Sequence, residues 1–237
     1  MELSKRLAAI AEMVGECESM ADIGTDHGYI PIYLIEQKKV KRALAMDVKE
    51  GPLERAKEHI RLYGLDEYIE LRLSDGAKKL KPSEVEVAVV AGMGGRLMMR
   101  IVEESREVFH EMKFFILQPQ SEHGFVRRNL EEQGYEILAE NMVCEDGKYY
   151  PMMKVKKGWM KLEKECFYEY GEFLLKKKNP CLQEYLKNER SNYTKIMEKL
   201  ALGDSQQQKT RLKEMEQLLV INKEALQYYK EGEKYGM

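Results

Sequence analysis

Apolar positions over the first two thirds of the chain alternate between short runs and helical stripes. Leu3, Leu7, Ile10 and Val14 recur at helical spacing and predict an opening amphipathic helix. Short strands are expected at 20–23, 43–46, 69–73, 85–91 and 114–117. Helices are expected between them at 29–38, at 51–63, from Arg96 onward and at 121–133. Pro52 falls in the first turn of the second of these, where its missing N–H does no harm. The run at 85–91 is continuously apolar, as a strand covered on both faces requires. Strand–helix alternation of this kind predicts an α/β domain around a parallel sheet. The end of the stretch breaks the alternation. Residues 135–144 and 149–155 are two extended runs joined by Glu145-Asp146-Gly147-Lys148, and Asp-Gly in that position signals an antiparallel hairpin.

Beyond Gly158 the pattern is helical only. Trp159, Leu162, Phe167, Tyr170 and Phe173 suggest a docking segment that ends at Asn179-Pro180. Leu182, Leu186, Glu189, Tyr193, Ile196 and Leu200 then form one heptad seam, and Leu212, Met215, Leu219, Asn222, Leu226 and Tyr229 a second. Each has one polar position. The loop at Gly203-Asp204-Ser205 between them predicts an antiparallel two-helix, coiled-coil hairpin. The expected domains are therefore 1–158 and 159–237. Charge follows the same division: 24 Lys/Arg against 28 Asp/Glu before the boundary, 15 against 13 after it.

Composition narrows the possibilities further. The 237 residues are 43% hydrophobic and 34% charged with a formal net charge of −2, which excludes both wholesale disorder and a uniformly basic nucleic-acid coat. Cys17, Cys144, Cys166 and Cys181 include no C-x-x-C pair, and His27, His59, His110 and His123 include no i,i+4 pair, so neither zinc nor a disulfide framework is expected. With no signal-peptide pattern and no apolar run near the ~20 residues of a membrane span, the expectation is a soluble, cytoplasmic protein with no membrane and no metal partner.

Chemistry gathers at the strand ends. In an open parallel sheet, ligands bind outside the carboxyl ends of the strands, where the strand order reverses. Those ends carry Gly24, Asp47, Asp75-Gly76, Gly92-Met93-Gly94-Gly95 and Gln118-Pro119. The first turn, Asp22-Ile23-Gly24-Thr25-Asp26-His27-Gly28, lacks the G-x-G-x-x-G spacing that a pyrophosphate requires, so a nicotinamide or flavin dinucleotide is disfavoured. Asp47, 23 positions after Gly24, matches the acid that takes ribose hydroxyls. A glycine turn and a ribose acid without a phosphate grip suit a phosphate-free nucleoside such as S-adenosylmethionine. The terminal hairpin agrees, since seven-stranded methyltransferase sheets end that way.

With these residues in view, the chain resembles the bacterial tRNA (adenine-22, N1)-methyltransferase family, TrmK. The likeness lies in DIGTDHGYIP (22–31), AMDVKEGP (45–52), LSDGAKKL (73–80), VVAGMGG (89–95) and ILQP (116–119), together with LSKRL (3–7) and EDGKYY (145–150). It implies a class I methyltransferase (Rossmann-like) sheet, S-adenosylmethionine as donor, and N1 of an adenine in the tRNA D-loop as acceptor. Carried onto these positions, it implies that Asp22, Gly24 and Gly92 line the methionine half of the donor. Asp47 would take the ribose, and Asp75 with Gly76 the adenine. Asp26, His27, Met93, Gly94 and Gly95 would face the methyl-transfer pocket.

Plainer readings stand beside these. Asp26 or His27 would serve equally as a cap for the helix near Tyr29, and Gly94-Gly95 as a close helix–sheet contact. His59, His110 and His123 are expected on solvated faces. The Lys176-Lys177-Lys178 run, with Lys5 and Arg6, is either a solvated face or a grip on RNA phosphates. A small-molecule methyltransferase, a dinucleotide oxidoreductase and a non-catalytic RNA-binding protein are the rival classes. The long tail argues against the first, and the missing glycine spacing against the second. For a methyltransferase, Asp26 is the expected acid beside the charge that forms on the base.

Overall fold

The computed structural model describes residues 1–203 and 205–230. The chain divides into two compact units, Met1–Lys161 and Leu162–Met237. In the first unit the order is α1 (Lys5–Val14), β1 (Cys17–Ile23), α2 (Tyr29–Glu36), β2 (Val40–Asp47), α3 (Glu50–Leu62), β3 (Ile69–Leu73), β4 (Val87–Met93), α4 (Gly95–Glu104), α5 (Arg106–His110), β5 (Phe114–Pro119), α6 (His123–Glu132), β6 (Tyr135–Glu145) and β7 (Lys148–Lys157). The seven strands form one sheet in the order β3-β2-β1-β4-β5-β7-β6. The first five run parallel, and β7 pairs antiparallel with both β5 and β6. Asp146 and Gly147 both have positive φ, 50° and 72°, so the β6–β7 turn has the twist that two-residue hairpins favour.

The chain moves outward from β1 to β3 and then returns to lay β4 against the other side of β1, with Ile23 beside Val90. The order reverses there, and a crevice opens at the carboxyl ends of β1 and β4. Burial explains why these strands sit at the centre: Met20, Ala21, Ile23 and Val87–Val90 are at most 1% exposed. α1 closes one face through Ile10, Ala11 and Val14, and it begins under Ser4, whose hydroxyl accepts the Leu7 N–H at 3.4 Å.

Strand limits depart from the sequence reading where polar residues break the pattern. β1 and β2 begin earlier, at Cys17 and Val40, because Glu18, Lys41 and Arg42 occupy exposed strand ends. β4 does not stop at Ala91. It runs on through Gly92, which has φ +76°, and its register against β5 shifts between Ala91 and Met93. This bulge is where a glycine tolerates a backbone that other residues resist.

In the second unit, α7 (Glu165–Tyr170) and α8 (Glu172–Lys176) precede two long helices, α9 (Pro180–Leu200) and α10 (Gln206–Lys230). Asn179 caps α9 by accepting the Leu182 N–H at 3.0 Å, and Pro180 fills the first turn. α9 and α10 are antiparallel: the Tyr229 hydroxyl donates to Asn179 O at 2.9 Å, and Asn222 Nδ2 to Leu186 O at 3.0 Å. The two polar heptad positions meet, with Asn222 Nδ2 donating to Glu189 at 3.0 Å. Glu189 also accepts from Tyr170 at 2.6 Å and Tyr185 at 2.9 Å. Bonds of this kind form in only one register of the helices. Trp159 is not part of the packed segment. It is 78% exposed, and apolar burial begins at Leu162. Of the expected loop, Asp204 lies outside the described residues.

Candidate functional site

A cavity of about 310 Å³ occupies the crevice at the ends of β1 and β4. Its lining includes Arg6, Asp22, Gly24, Thr25, Asp26, His27, Tyr29, Gly92 and Gln120. The β1 turn forms its floor. The amides of Gly24 and Thr25 both donate to Met46 O at 2.8 Å, and Gly24 adopts φ +84°. A β-carbon on Gly24 would meet only the movable end of the Met93 side chain, so it is the backbone conformation that calls for glycine in this turn. The Thr25 hydroxyl accepts the Gly28 N–H at 3.2 Å, and Gly28 itself begins α2 without a capping side chain. Neither Asp26 nor His27 is therefore the helix cap.

Asp22 is the buried charge of the site, only 6% exposed. Burial pushes its carboxyl up to about 6, and the charge of Asp47 adds to that, while a hydrogen bond from Thr25 and the charge of Arg6 oppose it. Arg6 reaches the same cavity from α1. Its Nη1 donates to Gln118 Oε1 at 3.0 Å, and its guanidinium lies 5.5 Å from the Tyr150 ring centre. Gln118 is fully buried and donates to Pro119 O at 3.0 Å. Arg6 thus belongs to the cavity wall rather than to an outer phosphate-binding face. Lys5, beside it, is exposed.

Asp26 pairs with Arg55 and lies 3.4 Å from His27 Nε2. The His27 ring stacks on Tyr29, with centres 5.0 Å apart, and on His59 at 5.2 Å, while its Nδ1 is buried without a partner. His59 is therefore packed rather than solvated. The same holds for His110, edge-on to Tyr135, and for His123, whose Nε2 lies 3.2 Å from Pro119 O. Burial, followed by the charge of Arg127, holds His123 down to about 4. Helical periodicity missed these because each ring lies in a largely polar stretch, and His59 and His110 meet partners distant in sequence.

The other expected site residues lie outside the cavity lining. Asp47, at the end of β2, accepts the Lys49 N–H at 2.8 Å. Asp75 is exposed, and Lys78 at 2.5 Å holds its carboxyl below the usual range. Gly76 has φ +58°, and a β-carbon there would meet Ile101 at 2.9 Å. Met93 covers the Gly24 turn, but Gly94 and Gly95 do not face the cavity. A β-carbon on Gly95 would come within 2.7 Å of Ser121 O and 2.8 Å of Val126, which makes it a close-packing position. The residues that sequence reasoning missed are Thr25, Tyr29 and Gln120. Their signal was adjacency to the turns already singled out.

In the second unit, Lys176 is tied to Glu172 at 2.6 Å and is not a free cation. Lys177 and Lys178 are exposed. A different set stands out: an open groove of about 720 Å³ along α9 and α10, lined by Lys187, Arg190, Lys195 and Lys230 with one acid, Glu198. None of the four cations is ion-paired with a described residue. The α9 members fall at helical spacing, a signal that was available in the sequence. Among the described residues, no cluster of His, Cys, Asp and Glu could hold a metal, and no helix is long and apolar enough to cross a membrane.

Comparison with known proteins gives this geometry its context. A family model described as a methyltransferase domain matches residues 3–153. The tRNA (adenine(22)-N(1))-methyltransferase of Bacillus subtilis (strain 168) is 30% identical over 238 residues, covering 96% of this chain and 98% of that protein. A Streptococcus pneumoniae protein solved with S-adenosyl-L-methionine is similar at 33% identity and TM-score 0.82, over 95% of this chain and 100% of that one. TrmK of M. capricolum, solved with S-adenosyl-homocysteine, is similar at 26% identity and TM-score 0.83, over 96% and 99%.

Proposed function

The chain belongs to the bacterial tRNA (adenine(22)-N(1))-methyltransferase family, and from that premise we infer that it transfers a methyl group from S-adenosylmethionine to N1 of adenine 22 in tRNA. The observation that carries the reading is the pair of opposite charges, Asp22 and Arg6, directed into one cavity at the switch point of the sheet. The amino-acid end of the donor is a zwitterion. An ionised Asp22 suits its ammonium, and Arg6 suits its carboxylate. The Gly24 turn forms the floor between them. Asp47 on the next strand end is offered to the ribose, and Asp75 with Gly76, one strand further, to the adenine. The residues present fit the donor.

When bound, S-adenosylmethionine supplies a methyl group already activated by its sulfonium. The protein's task is then alignment, because adenine N1 has its own lone pair and needs no base. N1 lies on the pairing edge, so the target must be unpaired or flipped before it can enter. Methylation leaves a positive charge on the ring, and Asp26 is the carboxylate assigned to balance it. Arg55 restrains Asp26, and His27, in a cluster of three mutually adjacent rings with Tyr29 and His59, fixes the wall beside it. The cations of the α9–α10 groove are assigned to tRNA phosphates, which position without reading sequence. A tRNA substrate also supports a cytoplasmic place of action.

The test is tritiated methyl transfer to unmodified tRNA with mass-spectrometric identification of the nucleoside. 1-Methyladenosine should appear, and should vanish when position 22 is changed to guanine. Asp26→Asn should lower kcat at least ~10-fold, the scale of one electrostatic contact made in the transition state, while donor affinity stays within about twofold. Equal losses in both would make Asp26 a donor-binding residue. Full activity would leave it only as the partner of Arg55.

A further inference from the structure

Most polar side chains of the cavity are already engaged. Arg6 bonds Gln118, Asp22 bonds Thr25, Thr25 accepts from Gly28, and Asp26 pairs with Arg55. Gln120 differs. It follows Pro119 at the end of β5, its backbone N–H donates to Met93 O at 2.8 Å, and its exposed side-chain amide makes no hydrogen bond with a described residue. That backbone bond fixes where the side chain starts. Its Nε2 lies 3.8 Å from where a Gly92 β-carbon would be and Arg6 Nη1 3.7 Å from it, so the free amide and the guanidinium flank the β4 bulge. The donor's amino-acid end is assigned to Asp22 and Arg6, and the acceptor has to enter from the open side, where Gln120 stands.

We propose that Gln120 is the residue that reads the target base, its Oε1 accepting from the adenine N6 amino group and its Nε2 donating to N7. This deepens the functional reading above and rests on it. The reaction itself dictates the edge. N1 must keep its lone pair free, so recognition falls to N6 and N7, and a carboxamide offers the one acceptor and one donor that adenine needs there. Guanine presents acceptors at both O6 and N7, so one of its two contacts with Gln120 would be repulsive.

The test compares tRNA carrying adenine with tRNA carrying 7-deazaadenine at position 22, made by ligation of a synthetic fragment. For the unaltered protein, removal of N7 should lower kcat/KM by about 5- to 20-fold, part of the discrimination a bidentate contact supplies. Gln120→Leu should lower kcat/KM on the adenine substrate by a similar or larger factor, and the deaza substitution should then add nothing. S-adenosylmethionine affinity should be unchanged, which also shows that the variant is folded. Equal rates of the unaltered protein on both substrates would overturn the assignment of Gln120 and leave the methyltransferase reading standing. A further full loss on the deaza substrate in Gln120→Leu would do the same. No methylation of adenine 22 by the unaltered protein would overturn both readings together.

Discussion

A chain ending at Lys161 is expected to bind S-adenosylmethionine within about threefold of the intact protein and to lose at least ~100-fold in tRNA methylation, the scale on which phosphate contacts govern affinity. The first part follows from the fold. Every strand of the sheet, the Gly24 turn, Asp22, Arg6 and Asp47 lie within Met1–Lys161, which is a compact unit with its own core. The second part follows from charge. Residues 1–158 are acidic overall, whereas the α9–α10 groove carries Lys187, Arg190, Lys195 and Lys230 free of ion pairs with described residues. Four such contacts imply that log affinity for tRNA falls with log salt at a slope of about −3 to −4. Lys187→Glu with Arg190→Glu should flatten that slope and weaken tRNA binding, and both positions are solvent-facing enough to leave the fold intact. A shortened chain that is folded by circular dichroism and methylates tRNA at the full rate would reduce the helical unit to a structural role.

The parts of this arrangement that could be read from sequence are those with a period or a turn. Alternating runs and stripes predicted a parallel sheet, Asp146-Gly147 marked the hairpin, and the heptads of α9 and α10 foretold both the helices and their single polar positions. What those two positions do is a different kind of fact. Glu189 and Asn222 are 33 residues apart and meet only because the hairpin closes in one register. Arg6 illustrates the same limit at the site. Beside Lys5 on an amphipathic helix it reads as a surface cation, and only the packing of α1 turns it toward Gln118 and Tyr150. Gly95 shows the reverse. A glycine-rich strand end reads as ligand space, but its third glycine is required by Ser121 and Val126 on the neighbouring element. Local pattern gives the type of element; pairwise approach across the sheet decides which side chains share a cavity.

Asp22→Asn is expected to make the protein more stable and worse at binding its donor. The carboxyl sits at about 6 in the folded chain against an ordinary 3.8, raised chiefly by burial. A group whose folded value is raised binds its proton more tightly in the native than in the unfolded state. Native stability therefore falls as pH rises from about 4 to about 6, and the full cost persists above that window. For a shift of about two pKa units the cost is roughly 2–3 kcal/mol. Asparagine carries no charge to desolvate, so at pH 7.5 the variant should gain stability of that order, and the gain should vanish near pH 4. Chemical denaturation at the two pH values measures it. Donor binding should move the opposite way. Losing a charged hydrogen bond to an ammonium costs about 1.5–3 kcal/mol, or ~10- to 150-fold in affinity. The unaltered protein should itself lose about tenfold in donor affinity between pH 7 and pH 5 as Asp22 protonates, since one pKa unit corresponds to a factor of ten, and the variant should show no such dependence. A variant that is less stable at pH 7.5 and binds the donor normally would mean that Asp22 serves the fold through Thr25 and not the ligand. Opposite signs in the two measurements would instead show that the β1 turn holds an ionised carboxylate in a place where only a cation could justify it.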